Sequence, residues 1–110
     1  MIVRVATFEH LSAELATSSE DNLRRRFLPA LSRQPGYVTG IWCKDAEGNA
    51  LSITVWESEQ ALRDGGATAN ATPLLPGQRP EQIAGPDRVQ IYELTAMSGP
   101  HGQPQQQPPA

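Results

Sequence analysis

The chain has one cysteine, two histidines and aromatic residues at only 5% of its 110 positions. A lone Cys43 excludes an internal disulfide framework and a CxxC metal site, and it fits a reducing, cytoplasmic setting. No run of about 18 apolar residues occurs, so no membrane span is expected. The N-terminal MIVRVATFEH lacks a basic region followed by an apolar core and a small-residue cleavage site, which makes a soluble, unprocessed protein the expectation. The net charge is −3, and the one basic cluster, RRR at residues 24–26, is expected to be a solvated helix face; nucleic acid is therefore excluded as the main partner. GxGxxG, P-loop, GxSxG and HExxH signatures are also absent, and no metal ligand set stands out.

What remains is a pattern of short elements. Residues 2–8, IVRVATF, read as a strand with both faces covered. From residue 9 the period becomes helical, with Leu23, Phe27 and Leu31 four apart. Ser18 or Ser19 is the expected cap, with Glu20 and Asp21 at the positive end of the dipole, and Ser12 is expected to cap only an earlier turn. Pro29 should kink this helix because it cannot bond the carbonyl of Arg25, and Pro35-Gly36 ends it. YVTGIWCK and ALSITVW, joined by DAEGN, predict a β-hairpin. Leu51, Ile53 and Val55 are expected to pack on the helices, leaving Ser52, Thr54 and Trp56 on the opposite face. Ser58 should cap a short helix that stops near Gly65-Gly66. Residues 65–86 are Pro- and Gly-rich and predict a loop with one or two helical turns, and RVQIYEL predicts a last strand.

The order β-α-β-β-α-β predicts an α+β, ferredoxin-like fold: a four-stranded antiparallel sheet with two helices on one face. Residues 1–97 form the domain, and residues 98–110, SGPHGQPQQQPPA, are expected to be a disordered Pro/Gln-rich tail. Val3, Val5, Trp42, Trp56 and Tyr92 are expected on the free sheet face. A face of that composition needs a cover, and a domain this small gains by sharing apolar surface, so a homodimer through the sheet faces is expected. Cys43 is expected to be a small buried hydrophobe. His10 is expected in a loop and His101 in the tail.

The stretch LPALSRQPGYVTGIWCKDAEGNALSITVWESEQAL resembles the antibiotic-biosynthesis-monooxygenase-like domains of the dimeric α/β-barrel superfamily. The resemblance rests on a helix ending in Gln34-Pro35-Gly36, the aromatic Tyr37, and a hairpin whose second strand ends in Trp56-Glu57-Ser58 and leads into the second helix. With the outer strands it spans about residues 1–96. It implies a dimeric α/β barrel, and for function it implies several classes. Haem-degrading members use a histidine in or near the second helix, and EQALRDGGATANATPLL has none, so no haem is expected here. Cofactor-independent monooxygenases need an apolar, water-poor wall and a few donors to hold the anion of an aromatic or quinol-type substrate. Trp42, Trp56 and Tyr92, with Thr54 and Arg4, are the candidate pocket residues for that role, and Asn70 is a further polar candidate; no catalytic residue is assigned. The alternative is a non-catalytic small-ligand-binding or interaction protein of the same fold.

Overall fold

The computed structural model describes residues 1–99, so the expected tail lies outside the described residues from position 100 onward. The three segments of β-branched and aromatic composition form strands where their period of two requires: β1 (Ile2–Phe8), the hairpin β2 (Tyr37–Lys44) and β3 (Ala50–Trp56), and β4 (Arg88–Glu93). They pair antiparallel in the order β2-β3-β1-β4. The hairpin turn is held by Asp45, whose Oδ1 accepts from the backbone N–H groups of Glu47 at 2.8 Å and Asn49 at 3.0 Å. Gly48 supplies the positive φ of 87° that the loop needs. Both helical layers lie on one face, which makes the fold α+β and ferredoxin-like.

The first helical layer starts earlier than expected. Ser12, not Ser18 or Ser19, is the cap, its hydroxyl accepting from the N–H of Leu15 at 3.1 Å, and α1 runs Ala13–Asn22. Ser18 and Ser19 are instead spent on the long connection: Ser18 Oγ donates to the carbonyl of Gln82 at 2.7 Å, and Ser19 Oγ accepts from the N–H of Ala84 at 3.0 Å. The rod continues through a π-turn (Leu23–Phe27) into α2 (Leu28–Ser32). Pro29 cannot bond back to Arg25, and the turn ahead of it widens so that the N–H of Leu28 reaches the carbonyl of Leu23, five residues back.

The π-turn also corrects the expectation for RRR. Arg24 and Arg25 are solvated and pair with Glu20 and Asp21 at 3.4 and 3.1 Å, but Arg26 is buried. Its guanidinium donates to the carbonyls of Asn70 at 3.0 Å and Pro73 at 3.2 Å, to that of Thr72, and to Asn22 Oδ1 at 3.3 Å. Asn70 and Thr72 stand at the end of the next helix, where carbonyls lack helical partners and the dipole is negative, so the cation is neutralised without a carboxylate.

That helix, α3 (Glu59–Asn70), is capped by Ser58, which accepts from the N–H of Ala61 at 3.1 Å. It does not stop at Gly65-Gly66. A Cβ on Gly65 would stand 2.4 Å from the Trp56 ring, so this glycine makes room for the indole and the helix passes through it. Beyond α3 the connection makes one 3₁₀ turn (Pro80–Gln82) before β4.

The largest correction concerns which face is covered. Cross-strand register places Ile2, Arg4 and Ala6 opposite Trp56, Thr54 and Ser52, and this row faces the helices. Trp42, opposite Ser52, shares it. Leu51, Ile53 and Val55, expected on the helices, face the other way with Val3, Val5 and Tyr92. Trp42 and Trp56 are thus inside, against a core of Ala30, Leu31, Leu62 and Ala69. Cys43, expected buried, is exposed on the open face.

The two adjacent glycines of α3 make a paired prediction. Gly66→Ala, whose Cβ meets nothing within 4 Å, should gain about 0.5–1 kcal/mol from helix propensity. Gly65→Ala has the same propensity gain but must displace the Trp56 ring, and a net loss of about 1–3 kcal/mol is expected. Urea unfolding of the two variants measures the difference.

Candidate functional site

Trp56 ends β3 and points into the space between sheet and helices, where it is 1% exposed. The edge of its indole meets the ring of Tyr37, with centroids 5.3 Å apart and planes at 73°. Burial raises the Tyr37 hydroxyl above its ordinary pKa. The indole Nε1–H donates to Thr54 Oγ1 at 3.1 Å. The room left between this assembly, α2 and α3 is a cavity of about 310 Å³. Phe27 and Leu31 wall it from the helical rod, Leu62 and Ala67 from α3, and Ile91 from the edge strand.

The cavity's polar groups come from the sheet and, at its rim, from α3. Ser52, Thr54 and Arg4 all line it. A hydroxyl has one proton to give and two lone pairs, and Thr54 uses a lone pair on Trp56, so its proton remains free to donate. The Arg4 guanidinium is half-buried, and burial lowers its pKa from the ordinary value. Arginine nevertheless stays protonated in proteins. Among the described residues the only other charged one at the cavity is Arg63, at the rim, paired with Glu59 at 3.2 Å. Asn70 lies at the rim too, its side-chain amide donating to the carbonyl of Gly66 at 3.0 Å, while Arg26 holds the backbone carbonyl of the same residue at 3.0 Å. No group of three or more His, Cys, Asp or Glu able to hold a metal ion occurs among the described residues. A second hollow of about 620 Å³, along the outer side of α1 at Ala13, Thr17 and Asp21, is a surface depression without aromatic walls and is not the site.

Of the six residues singled out in the sequence, the structure brings Arg4, Thr54, Trp56 and Asn70 to one cavity. Trp42 shares the inner face but packs against the core beside it, its ring lying over Gly40, where a Cβ would be 2.4 Å away. Tyr92 is on the opposite face, 49% exposed. Of the wall residues, Phe27 and Leu31 were legible only as part of an apolar helical stripe, and Leu62 and Ile91 carried no signal of their own. The polar alternation Ser52-Thr54-Trp56 was the signal that could have located the cavity.

No protein-family model and no curated relative matches the chain. Solved structures do. The cofactor-independent oxygenase SnoaB from Streptomyces nogalater is 20% identical, with 84% of this chain and 91% of that chain covered and a TM-score of 0.60. The monooxygenase of the ActVA-Orf6 gene of Streptomyces coelicolor, solved with nanaomycin D, is 18% identical over 90% of this chain and 91% of that chain, with a TM-score of 0.59. The haem degrader MhuD from Mycobacterium tuberculosis, solved with two haems in its active site, is 21% identical over 90% of this chain and 100% of that chain, with a TM-score of 0.63. At 18–21% identity these likenesses show a shared fold, the ferredoxin-like α+β arrangement common to this chain and the three proteins.

The hydrogen bond inside the wall is directly testable. Thr54→Val keeps the shape but leaves the buried indole N–H without its acceptor, and a loss of about 1–3 kcal/mol is expected by chemical unfolding. Thr54→Ser should recover most of it.

Proposed function

We propose that this chain is a cytoplasmic homodimer that binds an aromatic or quinol-type small molecule in the inner cavity and oxidises it with O₂, without a metal or organic cofactor. The carrying observation is the cavity itself: an aromatic wall at Trp56, apolar walls from both helical layers, and the donors Arg4, Ser52 and Thr54 together on the sheet. A flat, electron-rich ring fits between such walls, and the hydroxyls and the guanidinium stabilise negative charge on its oxygen. Once its hydroxyl proton has passed to solvent, the anion of such a phenol can give an electron to O₂ directly. Radical and superoxide then join at a ring carbon, and loss of water from the hydroperoxide leaves a quinone carbonyl. One oxygen atom enters the product and the other leaves as water, with all electrons supplied by the substrate. The fold is shared with an oxygenase and a monooxygenase, which supports the choice of chemistry.

One observation favours the alternative of a non-catalytic ligand-binding protein. Among the described residues the titratable groups at the cavity are arginines, and none of these serves as a general base near neutral pH. Oxygen uptake separates the two readings. With a panel of phenols and hydroquinones under air, the protein should accelerate O₂ consumption with at least one compound. Ala67→Phe, which fills the cavity from an exposed helix position, should reduce that rate at least tenfold. Saturable binding with no O₂ uptake for any bound compound would favour the non-catalytic reading.

The dimer is supported by the apolar open face, where Ile41 is 59% and Leu51 37% exposed in the single chain. Sedimentation at micromolar concentration should give a dimer, and Ile41→Lys should give a folded monomer. A monomeric wild-type protein would overturn this part of the proposal.

A further inference from the structure

The geometry points to a carboxylate on the ligand: the aromatic molecule held in the inner cavity is an acid whose carboxylate seats on Arg4. This rests on the inner cavity being the ligand site. Arg4 lies on β1, flanked across the sheet by Thr54 on β3 and Ile91 on β4. Both neighbours line the same cavity, so the guanidinium stands in the middle of its floor.

Among the described residues, the Arg4 side chain makes no hydrogen bond and no ion pair. Glu93, two residues along β4 from Ile91 and on the same face, forms no salt bridge with it. No aspartate or glutamate lines the cavity, and Arg63 at the rim has its own partner in Glu59. A half-buried cation without a partner has lost part of its hydration and received nothing in return. Arg26 in the same molecule shows the contrast, since every direction of its fork ends on a carbonyl or amide oxygen.

The ligand's chemistry follows from what the cavity offers. A guanidinium presents parallel N–H groups that match the two oxygens of a carboxylate, and the Thr54 and Ser52 hydroxyls beside it add donors rather than acceptors. No base lines the cavity to remove a proton, so the ligand must arrive already charged. A carboxylic acid, with a pKa of about 4, is ionised at neutral pH; a simple phenol, at about 10, is not. The carboxylate therefore anchors the ring, and the ring fills the apolar space between Phe27, Leu31 and Trp56.

The test is isothermal titration calorimetry of the full chain with 1-hydroxy-2-naphthoate and with its methyl ester. The wild-type protein should bind the acid at least about tenfold more tightly than the ester. Arg4→Met should lose this preference and bind acid and ester about equally, Arg4→Lys should keep part of it, and Ala67→Phe should bind neither compound. Equal affinity for acid and ester in the wild type, or a preference that survives in folded Arg4→Met, would overturn the proposal while leaving the cavity as a ligand site. If Arg4→Met does not fold, Arg4→Lys decides, because an undiminished preference there would show that the fork geometry is not what is read. Binding of neither compound by the wild type would overturn the reading of the cavity and this proposal with it.

Discussion

The structure depends on where Trp56 puts its ring. Burying a side chain of this size is worth on the order of 4–6 kcal/mol, the largest single contribution a residue of this chain can make. The indole is fixed from three sides: the edge-on contact with Tyr37, the hydrogen bond to Thr54, and the notch at Gly65 that lets α3 come close. Each contact constrains a different element. Tyr37 ties in β2, Thr54 keeps a polar group on the inner face, and Gly65 sets the approach of the helix whose next turn forms the cavity rim. The cavity is the space left beside a tryptophan that cannot move.

A second consequence is the inversion of polarity across β3. In a simple two-layer domain the covered face is apolar and the free face polar. Here Ser52 and Thr54 are covered by the helices, and Leu51, Ile53 and Val55 lie on the opposite face, with Leu51 exposed. Polar groups inside make sense if they address a ligand, and apolar groups outside make sense if they address a second copy of the chain. The same alternation was visible in the sequence. Period two showed that the two sets of β3 residues lie on opposite faces, but not which face the helices cover, and the rule that apolar residues point inward gave the wrong answer. Trp42 and Trp56 were misplaced for that reason, although Arg4, Thr54, Trp56 and Asn70 all line one cavity.

Other parts of the fold were legible to differing depth. The four strands and the hairpin loop follow from local composition and were expected at their observed positions. The end of α3 was not, because Gly65-Gly66 signals a stop only when no side chain needs the vacant Cβ. Nor was the burial of Arg26, since three consecutive arginines look alike until a π-turn ahead of Pro29 changes the phase of the helix and sets one of them under the end of α3. Both features depend on contacts between segments about 10 to 45 residues apart, which no local pattern records. The two inward arginines then divide the labour: Arg26, fully satisfied, holds the rim in place, and Arg4, unsatisfied, faces the space that the rim encloses.

The most direct test of this account is to locate a bound aromatic acid by NMR. The two indole N–H signals can be assigned with Trp42→Phe, and 1-hydroxy-2-naphthoate titrated into the labelled protein. The Trp56 indole signal should move saturably, together with the backbone of Arg4 and Thr54, while Ile41 and Leu51 on the open face stay put. Movement confined to the open face, with the Trp56 signal unchanged, would contradict the account.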